Sequence, residues 1–302
     1  MHDWDNLRVF LAVARSGQFL AAGRQLKLDH ATVARRIAAL EAEAKVQLFQ
    51  RRTTGAVLTS AGENLLTYAE SIEAAVIDAT AELSKKEAAV SGVIRVAAPE
   101  GFMSYFLVPR LASFVRLYPD AVLQMVPLAR SFSLARREAD IAIMIDRPDQ
   151  GRLTVKKLTD YRVSLYASRD YLQTAGPIDE EDDLADRTLV TFVDDLVYSS
   201  SLYYAQPLLQ AARNRFECVS VVAQIEAIRA GVGAGVIHDY AAHQFTDLVR
   251  VLPSFSAERT YWIVTHKAER TLRRVAATYA FIEEEVHKAG SLFFKQDAAA
   301  ET

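Results

Sequence analysis

The residues best placed to do chemistry lie near the start of the chain. Between Asp29 and Glu41, Val33, Ile37 and Leu40, then Ala44, recur at helical spacing and form an inner stripe. They leave His30, Ala31, Ala34, Arg35 and Ala38 on the other side. Small residues let a helix approach base edges closely, and an arginine among them reaches a guanine or a phosphate. His30 and Thr32 fall near the helix N-terminus, where backbone N–H groups favour phosphate, and Arg36 follows Arg35. Asp29 is a good N-cap for this helix. An ordinary solvated helix face has the same look, so the helix alone leaves that alternative open. The next segment favours nucleic acid: residues 50–58 read as a short hairpin with Gly55 at its tip, carrying the pair Arg51 and Arg52. Such a wing sets arginine against the phosphate backbone or into the minor groove.

These side chains need a scaffold. Leu7, Phe10, Leu11 and Ala14 mark one face of a first helix that Gly17 stops. A second, over about 19–27, turns Phe19, Ala22 and Leu26 inward. Gly23 within it costs up to ~1 kcal/mol relative to Ala unless a neighbour needs the close approach. Two helices joined by a tight turn at Leu28-Asp29 form a helix-turn-helix. Ser60 to Glu63 has the form of a capping box and predicts a new helix start. Beyond it Leu65, Ala69, Ile72, Val76, Ala79 and Leu83 alternate spacings of four and three, a coiled-coil seam. A helix from 60 to about 88 is roughly 43 Å long. Its seam predicts a two-fold dimer presenting two heads to two symmetric half-sites of double-stranded DNA; packing on the chain's own body is the alternative.

From Gly92 the composition changes and strand and helix signals alternate. Strands are expected at 93–97, 122–126, 141–145, 163–166, 189–193, 236–238 and 261–265. Helices are expected at 104–117, around 132–138, at 221–230 and at 271–288. This predicts an α/β body with mostly parallel sheets. The tail from 290 to 302 has no periodicity and is expected to fray. The chain has 302 residues and a net charge of −3, but residues 1–60 carry nine Lys/Arg against five Asp/Glu, leaving −7 for the remainder. A basic end on an acidic body confines the electrostatic footprint to one end. The first residues lack the order of a signal peptide, and no apolar run approaches the ~20 residues that span a bilayer. A single cysteine, Cys218, rules out an intrachain disulfide or a cysteine-rich zinc site, so a cytoplasmic protein without membrane contact is expected.

The pattern resembles the LysR-type transcriptional regulators. The residues that carry the resemblance are Phe10, Val13, Ala14, Ser16, Gly17, Phe19, Ala21, Ala22 and Leu26, then 33–37, Leu40, Glu41, Leu48, Phe49 and Arg51, then Leu58, Thr59, Ala61 and Gly62. Weaker matches lie at 136–143 and from Ser220 to Gly233. The resemblance implies an α/β protein with an α-rich N-terminal winged helix-turn-helix over 1–59 and a long linker and dimerisation helix over 60–91. It also implies a two-lobed effector domain shaped like periplasmic binding proteins over 92–289. The crossovers of that domain are placed near 160–162 and 265–267, giving lobe I as 92–160 plus 267–289 and lobe II as 161–266. A small-molecule effector between the lobes, assembly as dimers and commonly tetramers, and work with RNA polymerase are implied as well. Carried over by position, His30, Ala31, Ala34 and Arg35 lie near bases with Arg51 and Arg52 from the wing, while Thr32 and Arg36 touch backbone or partner side chains. Departures are His30 where glutamine is frequent, Ala34 where serine is, Lys45 where glycine is, and Val219 where asparagine is. The last removes a polar contact from the expected cleft.

Ligands of α/β sheets sit beyond the carboxyl ends of the strands. In lobe I that points to Glu100, Gly101, Phe102, Met103 and Ser104, to Arg130, Ser131 and Phe132, and to Asp146. In lobe II it points to Asp194, Asp195, Ser220 and Gln224. Helix N-termini at Ser104 and Ser220 are each able to hold a carboxylate. Because Glu100, Asp194 and Asp195 repel a bare anion, a neutral ligand or one with both signs of charge is expected. The reading is therefore a sequence-specific, effector-controlled DNA-binding regulator with no catalytic residues, metal or cofactor. A constitutive repressor or architectural protein is the alternative. An α/β enzyme is weaker still: the glycines from Gly231 to Gly235 follow a helix and precede a strand, the reverse of the dinucleotide-binding order.

Overall fold

The computed structural model describes residues 4–52, 55–83, 90–128, 139–148, 153–266, 270 and 272–294. The chain divides into two compact units between Ala88 and Ala89. The first contains α1 (Trp4–Ser16), α2 (Phe19–Leu26), α3 (His30–Ala44), the antiparallel hairpin of β1 (Phe49–Arg52) and β2 (Gly55–Leu58), and α4 (Ser60–Leu83). Helix α1 is its centre. Leu7, Phe10 and Leu11 are buried as their spacing predicts, but so are Val9, Ala12 and Val13, because α2, α3 and α4 pack around the helix.

In α3 the stripe Val33, Ile37 and Leu40 is buried, whereas Ala44 is exposed. The chain leaves the helix there through Lys45, whose φ of 56° is left-handed and costs about 1–2 kcal/mol for a residue with a Cβ. Gly23 is needed by a neighbour: a Cβ on it would lie 2.7 Å from the carbonyl oxygen of Leu28 in the turn to α3. Helix α4 is capped one residue earlier than the Ser60 box suggests, since Thr59 Oγ1 accepts the Gly62 N–H at 3.1 Å. Part of the expected seam also packs within the unit. Ala69 is buried in this unit's own core, and Leu65 and Ile72, partly buried, pack against it. Val76 is 45% exposed; the side chains of Ala79 and Leu83 lie outside the described part.

The second unit begins with β3 (Gly92–Ala98). Next, α5 (Glu100–Phe102) continues through a π turn at Met103–Leu107 and a 3-10 turn at Val108–Arg110 into α6 (Leu111–Leu117). Then come β4 (Ala121–Pro127), β5 (Ile141–Met144), β6 (Leu153–Ser168), α7 (Arg169–Ala175), β7 (Thr188–Thr191), α8 (Gln206–Leu209) and β8 (Asn214–Glu217). The unit closes with α9 (Val221–Arg229), β9 (Ala234–His238), α10 (Asp239–Ala242), β10 (Leu248–Arg250), β11 (Ser256–His266) and α11 (Arg273–Lys288). One nine-stranded sheet runs β4-β3-β5-β11-β6-β9-β7-β8, with β10 paired to β6. Its outer pairs β3/β4, β3/β5, β7/β8 and β7/β9 are parallel, and the central β6 and β11 are antiparallel and long.

Those two central strands join the lobes. Lobe I is the β4-β3-β5 side and lobe II the β9-β7-β8 side. The register of β6 and β11 shifts between Tyr261 and Trp262, and β5 pairs only with Trp262 to Thr265. The second crossover thus lies at Thr260–Trp262, ahead of the expected 265–267. Asp160 pins this place, accepting Thr260 Oγ1 at 2.6 Å and Lys157 Nζ at 2.5 Å. Sequence patterning caught only the apolar cores of these strands, because Lys156, Lys157, Asp160 and Arg162 interrupt the run.

Two end expectations also change. The helix expected from 104 starts at Glu100, so Ser104 is not at its N-terminus. Within the expected tail, Gly290–Leu292 forms a 3-10 turn and Phe293 is fully buried, its ring 4.9 Å from Phe106 and 5.2 Å from Tyr240. The helix expected around 132–138 lies outside the described residues. Among the described residues no helix is long and apolar enough to cross a membrane.

Candidate nucleic-acid interface and interlobe cleft

In the first unit, Asp29 caps α3 doubly: Oδ1 accepts the Thr32 N–H at 2.7 Å and Oδ2 accepts Thr32 Oγ1 at 2.8 Å. These bonds hold the Asp29 carboxyl below the usual range. They also engage the Thr32 hydroxyl within the protein. Arg36 is engaged too, its Nη1 lying 3.1 Å from Asp5 Oδ2 on α1. His30, Ala31 and Arg35 are exposed and Ala34 is half-buried, so these four form the open face of the helix. The His30 ring sits 6.1 Å from that of Phe19. In the hairpin Arg51 pairs with Ala56 and Arg52 with Gly55, but the arginine side chains lie outside the described part.

Two positioning residues escaped sequence reasoning. Glu41 Oε1 accepts the backbone N–H groups of Leu48 at 2.7 Å and Phe49 at 3.2 Å, fixing the hairpin to α3. Arg15 Nη2 lies 2.6 Å from Glu73 Oε2 and ties α1 to α4. A carboxylate eight residues before a strand carries no local signature of such a bond.

In the second unit a cavity of about 330 Å³ lies between the lobes. Pro99, Glu100, Gly101, Pro127, Leu128 and Ile145 line it from lobe I. Phe192, Leu196, Tyr198, Leu202, Val219, Ser220, Val221 and His238 line it from lobe II, with Tyr161 at the crossing strand. Ser220 is the N-cap of α9, its Oγ accepting the Ala223 N–H at 3.2 Å. Glu100 reaches the same helix end from the opposite lobe. Its Oε1 accepts Ser220 Oγ at 3.0 Å and its Oε2 accepts the Val221 N–H at 2.6 Å. Gly101 has no room for a side chain, because a Cβ would fall 2.8 Å from Cε1 of His238. Burial pushes the His238 imidazole down to about 4, so it is neutral. Its Nδ1 has no hydrogen-bond partner among the described residues.

Of the residues expected around an effector, the structure brings Glu100, Gly101 and Ser220 to this cavity. Phe102 is core, packed 4.8 Å from Tyr261 and 5.0 Å from Phe106, and Met103 and Ser104 are not in the wall. Gln224 is buried and donates to the Cys218 carbonyl at 2.7 Å. Asp146 accepts the hydroxyls of Ser199 and Ser201, a second tie between the lobes. Asp194 and Asp195 are exposed in the 3-10 turn Asp194–Leu196 and only their neighbour Leu196 reaches the wall. Arg130, Ser131 and Phe132 lie outside the described residues. Sequence reasoning missed Tyr161, Phe192, Tyr198 and His238. The last ends β9, where the carboxyl-end rule, applied to every strand, points to it. Among the described residues no group of three His, Cys, Asp or Glu is able to hold a metal.

Comparison with known proteins covers both units. The family described as bacterial regulatory helix-turn-helix protein, lysR family, matches residues 4–63, and the LysR substrate binding domain matches residues 87–287. The transcriptional regulator PtxR of Pseudomonas aeruginosa is 28% identical over 60% of this chain and 58% of its own length. The matched stretch thus spans less than two thirds of that relative. The glycine cleavage system transcriptional activator of Escherichia coli is 26% identical over 90% of both chains. Full-length LysG from Corynebacterium glutamicum with bound effector Arg has the same fold, with a TM-score of 0.62 at 20% identity, covering 94% of this chain and 98% of that one. Matched over both units and in the same order, the chain belongs to the lysR family of bacterial regulatory helix-turn-helix proteins.

Proposed function

We propose that this chain is a sequence-specific DNA-binding transcriptional regulator controlled by a small molecule held between its lobes. The observation that carries the reading is a pairing within one chain. A head leaves His30, Ala31 and Arg35 exposed on α3, and a two-lobed body encloses a cavity of about 330 Å³. In this reading α3 lies in the major groove, Arg35 contacts base or phosphate, Ala31 and Ala34 allow close approach, and Arg51 and Arg52 reach the flanking backbone. Thr32 and Arg36 position the helix instead of touching DNA directly.

The domains are 1–59 for the head, 60–91 for the linker helix and 92–289 for the effector body. The protein works in the cytoplasm as a homodimer that assembles into a tetramer, binds two symmetric half-sites and acts on RNA polymerase; it is not an enzyme. A ligand that favours one arrangement of the lobes shifts the population of oligomer states and with it the spacing of the heads. LysG with its bound effector Arg supports a ligand-taking body of this fold. The test is footprinting on the DNA upstream of its own gene across a metabolite library. A symmetric footprint that changes with one compound is expected. A symmetric footprint that no compound alters supports constitutive repression, and the absence of a footprint ends the reading.

A further inference from the structure

The cleft already contains a carboxylate, and it is the protein's own. A helix N-terminus carries unsatisfied N–H groups and the positive end of the helix dipole, the natural seat for a ligand's carboxylate. At α9 that seat is filled by Glu100, which takes the Ser220 hydroxyl at 3.0 Å and the Val221 N–H at 2.6 Å. Among the described residues the rest of the wall has no lysine or arginine able to hold a second anion. It offers the rings of Tyr161, Phe192 and Tyr198 and the aliphatic Leu128, Ile145 and Val219. One polar group in it is idle: His238 is 3% exposed, and its Nδ1 has no hydrogen-bond partner among the described residues. A buried polar atom without a partner is rare and marks a place where a ligand or water completes the bonding.

We propose that Glu100 is a built-in anion occupying the α9 end of the cleft, so that the cleft takes an uncharged, largely apolar ligand with one hydrogen-bonding group for His238, and rejects carboxylates. The proposal rests on the reading of this cleft as the effector site and names the ligand class. A carboxylate ligand meets Glu100 as a like charge in a place with little water, and the one helix end able to compensate it is already engaged. Removing the Glu100 side chain therefore turns the cleft from a neutral-ligand site into an anion site.

The test uses a matched pair of probes, benzamide and benzoate, titrated calorimetrically into the full-length protein and two variants. The wild-type chain binds benzamide, and benzoate at least tenfold more weakly. Glu100→Ser, which vacates the α9 end and keeps Ser220, raises the affinity for benzoate relative to that for benzamide at least tenfold. Glu100→Gln, which keeps the shape and the acceptor oxygen without the charge, falls between the two and covers the case in which the serine variant does not fold. Benzoate binding the wild-type chain as well as benzamide overturns the proposal. So does a benzoate affinity unchanged relative to that for benzamide in a folded variant, or neither probe binding wild type. Failure of the wider reading looks different: benzamide binds as described, while the DNA footprint stays unchanged with every compound.

Discussion

Two helices of this protein begin in opposite states. Helix α3 is capped by its own Asp29 through Thr32, and the residues at its start, His30 and Ala31, are exposed. Helix α9 is capped by its own Ser220 and then covered by Glu100 from across the cleft. At both ends N–H groups aligned with a helix dipole meet a carboxylate, the helix's own Asp29 at α3 and Glu100 from across the cleft at α9. What separates them is the source of the carboxylate: at α3 it belongs to the capping residue and leaves the neighbouring face exposed, while at α9 it comes from another lobe and covers the helix end. The sign of the ligand at a helix end is set by what the rest of the fold places in front of it, which no local motif records.

The largest effect that sharpens this contrast is on pH. His238 lies behind the closed end and is held neutral, with its pKa lowered from 6.5 to about 4 by burial. In the unfolded chain it takes a proton below about 6.5, so the unfolded state binds more protons as pH falls. The stabilisation is complete above 6.5 and is lost as pH drops from 6.5 toward 4, on the order of 2 kcal/mol by pH 5. Urea unfolding of wild type and His238→Gln at pH 7 and pH 5 measures it, with the variant losing less on acidification. An equal loss in both leaves His238 without a part in the pH dependence.

Smaller effects belong to the open end. Glu41→Ala leaves the Leu48 and Phe49 N–H groups without their carboxylate, costing about 1–3 kcal/mol. Hydrogen exchange at these two amides is expected to quicken tenfold or more; unchanged protection breaks the link between α3 and the hairpin. Asp29→Ala removes the α3 cap and costs about 1 kcal/mol of stability, read as a lower thermal midpoint, while Asp29→Asn restores most of it. Arg36→Ala changes DNA affinity least, by about 1 kcal/mol or less, because its guanidinium is tied to Asp5. A larger loss in binding assays would return Arg36 to the contact face.

The head was legible because helical periodicity, the Asp29 cap and the glycine at 23 are local signals that agree with one another. The seam was only half legible: spacing shows that Leu65, Ala69 and Ile72 are covered, but not that α1 of the same unit covers them. The body was legible as alternating strands and helices. Its two crossing strands were not, since their polar residues make ties of their own, Asp160 with Thr260 and Arg162 with Asp239, and break the apolar run. In the cleft, the carboxyl-end rule found Glu100, Gly101 and Ser220. It read Glu100 as a group that repels an anion, but not that Glu100 itself occupies the helix end. Phe102 and Gln224 lie one helical turn or less from the right place, and the turn aims them into the core and at the Cys218 carbonyl instead.

The central claim is that the exposed face of α3 reads base sequence. Its most direct test is the ratio of affinities for the DNA upstream of the gene and for a scrambled duplex of equal length and salt, measured for wild type and Arg35→Ala. The expected result is a specific complex that Arg35→Ala weakens by about 1–3 kcal/mol, with the ratio falling accordingly. An unchanged ratio and footprint in a folded Arg35→Ala protein would contradict it.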